Sequence, residues 1–238
     1  MQLRFALLNA AHADESTSRN FRRELDADLV EFDATAGDLP TGFGYDAVVV
    51  TGSRSSVYWE EEWIGDLVDY VADATDRDVP VLGVCYGHQV LAEALGGEVT
   101  DMGAFEIGYN EVRRTADDEL LAGLGESFTV FTTHGDAVAE LPPGAERLAE
   151  NDYGVHAFRH GDAWGVQFHP EYDVATARDV TEGKRDRLGD DRTDAVLAGI
   201  TPENYEAACE AKTLFQNFTD YVRRRRAEDG EVGAAADD

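Results

Sequence analysis

A cysteine stands at the centre of a glycine-flanked turn, Gly83-Val84-Cys85-Tyr86-Gly87. An apolar, β-branched run from Val79 to Val84 leads into it, and a helical pattern of Val90, Leu91, Ala94 and Leu95 follows, closed by Gly96-Gly97. The stretch reads as strand, sharp turn, helix. The central residue of such a turn is held in a strained conformation at the carboxyl end of a strand. A thiol there meets a helix N-terminus, whose N–H groups and dipole favour the thiolate. Cys85 is therefore a candidate nucleophile, although a free cysteine is most often a small buried hydrophobe. A second block, Gly165-Val166-Gln167-Phe168-His169-Pro170-Glu171, ends an apolar strand in a histidine and a glutamate two residues apart. The intervening proline cannot continue a ladder. His169 can then face the sheet rim with Glu171 near enough to hold its ring. A third block, Thr133-His134-Gly135-Asp136, sits among short extended runs.

The elements that must position these groups follow from periodicity. Leu3 to Leu8, Leu29 to Phe32 and Tyr45 to Val50 read as strands, with an amphipathic helix over Ser16 to Leu25. Strands alternating with helices argue for a parallel sheet covered on both faces. The small-residue loop Gly52-Ser53-Arg54-Ser55-Ser56 directly follows the third strand. Ligands in open α/β sheets bind outside the carboxyl ends of strands, so this loop and Cys85 should share one rim. Trp63, Leu67, Val68 and Val71 form a helical stripe that serves the core. After Gly97 the runs Gly108 to Arg114, Phe128 to Phe131, Arg147 to Ala149, Val155 to Arg159 and Ala163 to Phe168 are short and punctuated by Gly, Asp and Pro. That half reads as antiparallel or mixed.

Composition excludes several function classes. The chain has 238 residues, with 49 Asp and Glu against 20 Lys and Arg, for a net charge of −29. Nucleic acid and anionic membranes are poor partners for such a surface. Only Lys184 and Lys212 are lysines. Self-repulsion on this scale suits strong screening, and adaptation to high salt is expected, which melting temperature against KCl would test. Cys85 and Cys209 make no disulfide framework. No run approaches the ~20 apolar residues of a membrane span, and no signal-peptide core follows Met1, so a soluble cytoplasmic protein is expected. Neither a metal nor a cofactor is expected.

The blocks Gly-Val-Cys-Tyr-Gly-His-Gln at 83–89, Thr-His-Gly-Asp at 133–136 and Val-Gln-Phe-His-Pro-Glu at 166–171 resemble the signatures of class I glutamine amidotransferases. The likeness extends to Thr51-Gly52-Ser53 and Glu106-Ile107-Gly108-Tyr109, covers roughly residues 3 to 173, and keeps the blocks in order. His134-Gly135-Asp136 is similar to the glutaminase domain of GMP synthases. The loop from Thr51 to Tyr58, followed by Glu62-Trp63-Ile64, looks closer to free-standing GMP synthase-like amidotransferases, a group that includes γ-glutamyl peptidases.

The resemblance implies a three-layer, flavodoxin-like α/β fold, with a mainly parallel central sheet and a small antiparallel sheet. It further implies that Cys85 attacks the side-chain carboxamide of glutamine to give a γ-glutamyl thioester. His169 would move the protons and Glu171 would orient its ring. The backbone N–H groups of Gly52 and Tyr86 would form the oxyanion hole. Gln89 with the backbone of His134, Gly135 and Asp136 would grip the amino-acid end of the substrate. The family's oxyanion loop commonly reads Gly-Gly-Pro, whereas Gly52-Ser53-Arg54 stands here, and Arg54 is either a contact for a substrate carboxylate or a solvated loop cation. His12, His156 and His160 have no evident partner.

Residues 1–173 thus form the expected amidotransferase core, 174–226 a C-terminal helical extension packed on it, and 227–238 a disordered acidic tail. Within the extension Val174 to Leu188 reads as a helix, Gly189 to Arg192 as a polar break and Asp194 to Ile200 as a short apolar pattern. Thr201 with Pro202 reads as the cap of a helix to about Arg226, burying Leu214, Phe215, Phe218, Tyr221 and Val222. Arg223 to Arg226 read as cations that complement a helix end. Ammonia made in this family passes to a synthetase, and the sequence carries no P-loop. A separate synthetase partner is therefore expected. The alternatives are a stand-alone γ-glutamyl peptidase and a non-catalytic regulatory subunit.

Overall fold

The computed structural model describes residues 2–12 and 14–236. β1 (Arg4–Asn9), β2 (Asp28–Asp33), β3 (Ala47–Val50) and β4 (Val81–Val84) alternate with α1 (Glu15–Glu24), α2 (Glu62–Thr75) and α3 (Tyr86–Ala94). Five strands follow: β5 (Glu98–Arg114), β6 (Ser127–Glu140), β7 (Glu146–Asn151), β8 (Gly154–His160) and β9 (Ala163–Val166). All nine lie in one sheet of order β2-β1-β3-β4-β9-β8-β7-β5-β6. β9 pairs parallel with β4, matching Gly83 to Gly165 and Val84 to Val166, and antiparallel with β8. The antiparallel strands therefore continue the parallel sheet beyond β9. Because β4 and β9 are neighbours, Cys85 and His169 leave the sheet at the same edge.

Apolar alternation divides the core. Phe5 and Leu7 face one layer with Phe21 of α1, while Ala6 and Leu8 face the other with Leu67 and Val71 of α2 and Val90 and Leu91 of α3. Period-two side-chain alternation on a strand buried on both sides produces this split.

The extension packs on this core as α4 (Val174–Glu182), α5 (Arg185–Leu188), α6 (Asp190–Gly199), α7 (Pro202–Cys209) and α8 (Thr213–Ala236). The single helix read over Val174 to Leu188 is divided at Gly183-Lys184. The break read at Gly189 to Arg192 is confined to Gly189, whose φ of +79° turns the chain. α6 starts at once with Asp190 and Asp191, whose charges suit a helix N-terminus. Thr201 caps α7 by accepting from the Asn204 N–H, with Pro202 in the first turn. A 3₁₀ turn at Glu210–Lys212 then redirects the chain into α8. There Leu214, Phe215, Phe218 and Val222 are buried against Phe5, Phe21 and Trp164.

α8 runs past Arg226 to Ala236, into the segment read as an acidic tail; Asp237 and Asp238 lie outside the described residues. Arg223 to Arg226 are therefore mid-helix, and they hold the core through ion pairs with Asp26, Glu119, Asp162 and Asp46. No described helix is long and apolar enough to cross a membrane.

Candidate active site

Cys85 adopts φ +54°, ψ −102° at the start of α3, and its N–H donates to the Val166 carbonyl at 2.8 Å. The glycines on either side are obligatory. A methyl group at Gly83 would fall 2.2 Å from the Gly87 carbonyl oxygen, and one at Gly87 would fall 2.3 Å from the Val50 carbonyl oxygen. Only bare backbone allows β3, the turn and α3 to approach this closely. The strained, positive-φ conformation at Cys85 is thus over-determined by its surroundings.

His169 and Glu171 follow β9, and Pro170 between them ends the strand. His169 Nδ1 donates to Glu171 Oε1 at 2.8 Å, which leaves Nε2 available for proton exchange with a neighbouring group. The Glu171 backbone carbonyl accepts from Arg23 of α1, and Tyr172 stacks on the His169 ring at 4.1 Å, so the His169–Glu171 pair is held on two sides. Burial by itself would lower the His169 pKa. The charges of Cys85 and Glu171 outweigh it and push the imidazole up to about 10, so the ring stays protonated.

Gly52 lies between Cys85 and His169. A methyl group there would be 2.9 Å from His169 Cε1 and 3.7 Å from Cys85 Cβ. Tyr86 opens α3, where the first N–H groups have no intrahelical acceptor, and burial pushes its phenol above the ordinary tyrosine range. Gly52 and Tyr86 thus both lie beside Cys85.

The other residues read from the sequence are close by but engaged with one another. Gln89 donates to the Asp136 carbonyl and to Gln167 Oε1, both at 3.2 Å. Gln167 Nε2 in turn faces Cys85 Sγ at 3.7 Å. The two Asp136 carboxylate oxygens accept from Ser56 and Tyr58 at 2.6 and 3.0 Å. His134 contacts the Asp136 carbonyl through Nδ1 at 2.9 Å and Glu106 Oε2 through Nε2 at 2.7 Å. Both ring nitrogens therefore face acceptors. These contacts join the blocks at 83–89, 133–136 and 166–171 into one polar network behind the thiol.

Sequence reasoning missed three parts of the site. Glu106 is buried, and it accepts from His134 and Asn151 while lying 3.2 Å from His156 Nε2. Burial alone would raise its pKa, yet the contacts from His134 and His156 hold it at about 2. Glu106, His134 and His156 place ligand atoms within 4.8 Å of one another, a set able to hold a metal, although hydrogen bonds already use both carboxylate oxygens. His12, of positive φ, bonds Ser55 at 2.9 Å at the cavity rim. Lys184 enters the same cavity from the extension. Glu106 stands in the block 106–109 that carries the family likeness, but its role, like those of His12 and Lys184, is revealed only by contacts at long range.

The family model for "Glutamine amidotransferase class-I" matches residues 12–181. The chain belongs to the class I glutamine amidotransferases. This amidotransferase is 39% identical over 130 residues to a glutamine-hydrolyzing GMP synthase subunit of Sulfurisphaera tokodaii, covering 53% of the chain and 68% of that relative. It is 37% identical over 147 residues to a glutamine-hydrolyzing GMP synthase of Vibrio atlanticus, covering 60% of the chain but 27% of that longer protein. The amidotransferase chain thus spans about a quarter of the length of that full synthase. In fold it is similar to a glutamine amidotransferase from Thermotoga maritima, with a TM-score of 0.78, 23% identity, and 92% and 99% of the two chains covered.

Proposed function

We propose that the protein hydrolyses the side-chain amide of glutamine through a γ-glutamyl thioester on Cys85 and supplies the ammonia to a separate synthetase. The observation that carries this reading is the junction of three elements: the elbow cysteine, the His169–Glu171 pair and Gly52 packed between them. In the first half-reaction the Cys85 thiolate bonds to the amide carbon, and the carbonyl oxygen takes up negative charge facing the N–H groups of Gly52 and Tyr86. The C–N bond then breaks as His169 Nε2–H gives its proton to the leaving nitrogen, releasing ammonia. In the second, His169 accepts a proton from water as the hydroxide adds to the thioester. The C–S bond breaks, glutamate leaves and the thiolate returns. Glu171 stabilises the imidazolium throughout by accepting from Nδ1.

Two relatives named as glutamine-hydrolyzing GMP synthase subunits, from Sulfurisphaera tokodaii and Archaeoglobus fulgidus, support a glutaminase carried on its own chain. The test measures glutamate release from glutamine and from γ-glutamyl peptides, with and without an ammonia-consuming GMP synthetase. Turnover of glutamine stimulated by the synthetase and abolished in Cys85→Ala is expected. Equal rates in Cys85→Ala overturn the mechanism, and peptide turnover that ignores the synthetase assigns the site to a γ-glutamyl peptidase.

A further inference from the structure

Beside the polar network behind the thiol lies a cluster whose side chains the mechanism does not use. Glu106 of β5 and His134 of β6 face each other across the antiparallel pairing of the two strands, and His156 reaches them from β8. All three are withdrawn from water: Glu106 is 1% exposed, His134 5% and His156 0%. Glu106 Oε2 lies 2.7 Å from His134 Nε2 and 3.2 Å from His156 Nε2. One ligand atom from each residue falls within 4.8 Å of the others. The fold alone assembles this set, because residues 106, 134 and 156 share no short spacing along the chain.

A proton by itself leaves part of the cluster unsatisfied. His134 Nδ1 stands 2.9 Å from the Asp136 carbonyl oxygen, so that nitrogen carries a hydrogen and donates it. In the neutral ring Nε2 is then bare, and its lone pair meets the Glu106 carboxylate at 2.7 Å. Two such lone pairs repel unless a cation lies between them. A second proton on His134 serves that one contact, yet it does nothing for His156. Both ring nitrogens of this fully buried side chain lack a hydrogen-bond partner among the described residues, although Nε2 is turned toward Glu106. Burying a polar group without a partner costs free energy. A metal ion between Oε2 and the two Nε2 atoms satisfies all three at once.

The surrounding contacts are those that metal ligands use. The Asp136 carbonyl fixes the His134 ring with Nε2 pointing inward. Asn151 donates to Glu106 Oε1 at 2.7 Å, which leaves Oε2 directed at the two histidines. Ligands about 2.0–2.1 Å from a tetrahedral zinc ion stand about 3.3 Å apart. His156 is already near that separation from Glu106, and His134 need draw back by only about 0.6 Å, the difference between 3.3 and 2.7 Å.

We propose that Glu106, His134 and His156 form a zinc site, a two-histidine, one-carboxylate set that binds through Oε2 and the two Nε2 atoms. The ion takes the place of the His134 hydrogen at Oε2 and ties β5, β6 and β8 together beside the block at 133–136. Its role is structural, because Cys85 and His169 lie outside the ligand set. Binding energy at such a site adds to the stability of the fold.

Zinc chloride is the probe and metal content the readout, so the outcome does not depend on turnover of glutamine. Full-length Cys85→Ala is used, since the active-site thiol would otherwise compete for the ion. After equilibration with zinc and exhaustive dialysis, elemental analysis should find close to one zinc ion per chain. X-ray absorption should show imidazole nitrogen and carboxylate oxygen at about 2.0–2.2 Å. Adding Glu106→Gln keeps the size of the side chain and can donate to the bare His134 Nε2, but removes the charge. It should cut zinc affinity by more than about 10-fold, which is the least that even an outer contact is worth. His156→Phe should do the same, and zinc should raise Tm in Cys85→Ala but in neither double variant. Where a variant does not fold, as judged by circular dichroism, the absorption spectrum of Cys85→Ala decides alone. No retained zinc, or equal zinc in the double variants, overturns the proposal. A sulfur shell at about 2.3 Å also overturns it, by assigning the metal to Cys209. The glutaminase reading stands in each of those cases.

Discussion

Gly52→Ala isolates geometry from chemistry at this site. The backbone N–H survives the substitution, so the proposed oxyanion donor is kept, and Gly52 does not occupy a positive-φ conformation that alanine resists. The added methyl group would stand 2.9 Å from His169 Cε1, where carbon atoms in contact settle at about 3.5–4.0 Å. The imidazole must therefore retreat by roughly 0.6–1.1 Å. It cannot do so freely, because Glu171 holds Nδ1 at 2.8 Å and Tyr172 covers its face. A misplacement near 1 Å costs about 10²-fold in rate, or ~2.7 kcal/mol of barrier. Steady-state glutaminase assays should thus show kcat reduced about 100-fold with KM changed little, and differential scanning calorimetry should show Tm within a few degrees of the parent. Gly83→Ala and Gly87→Ala are the contrast, since their methyl groups would strike backbone oxygen at 2.2 and 2.3 Å and should prevent folding. A Gly52→Ala enzyme with kcat within threefold of the parent would refute the view that the base is pinned between this loop and Glu171.

Two further outcomes follow from the structure. The His169 pKa lies well above its unfolded value, so its protonated form stabilises the fold fully below about 6.5, a contribution lost as pH rises through about 10. The pH profile of kcat/KM should accordingly hold into the alkaline range before falling, and Glu171→Gln should move that limb to lower pH; an unmoved limb counts against Glu171 as the source of the shift. Phe218→Ala deletes a buried ring packed on Phe5 and Trp164 and should cost about 3–5 kcal/mol in urea unfolding, whereas a loss under 1 kcal/mol would mean that α8 is not an integral wall of the core.

The legible part of the site is the part that local sequence must encode. An elbow needs Gly83 and Gly87 at fixed offsets from Cys85, and a strand end needs Pro170 between base and orienter, so these residues announce themselves in order along the chain. The parallel half of the sheet is equally legible, because strands covered on both faces are short continuous apolar runs such as Ala47–Val50 and Val81–Val84. Lys184, and the roles of Glu106 and Gln167 within their recognised blocks, are different. A single lysine at the break between two short helices and a single glutamate in a strand have no periodicity to betray what they do, and their meaning arises from contacts with residues far away in sequence. The end of α8 is misread for a related reason: Arg223 to Arg226 look like a helix terminus, while their partners Asp26, Glu119, Asp162 and Asp46 lie on distant elements.

The pairing of β4 with β9 also bears on how the enzyme comes into being. Cys85 and Gln167 are 82 positions apart, and four strands lie between β4 and β9 along the chain. Closing so long a loop is slow compared with building β1 to β4 with their local helices. A chain emerging from the ribosome therefore carries its elbow cysteine well before it carries His169 and Glu171, which follow the last strand of the sheet.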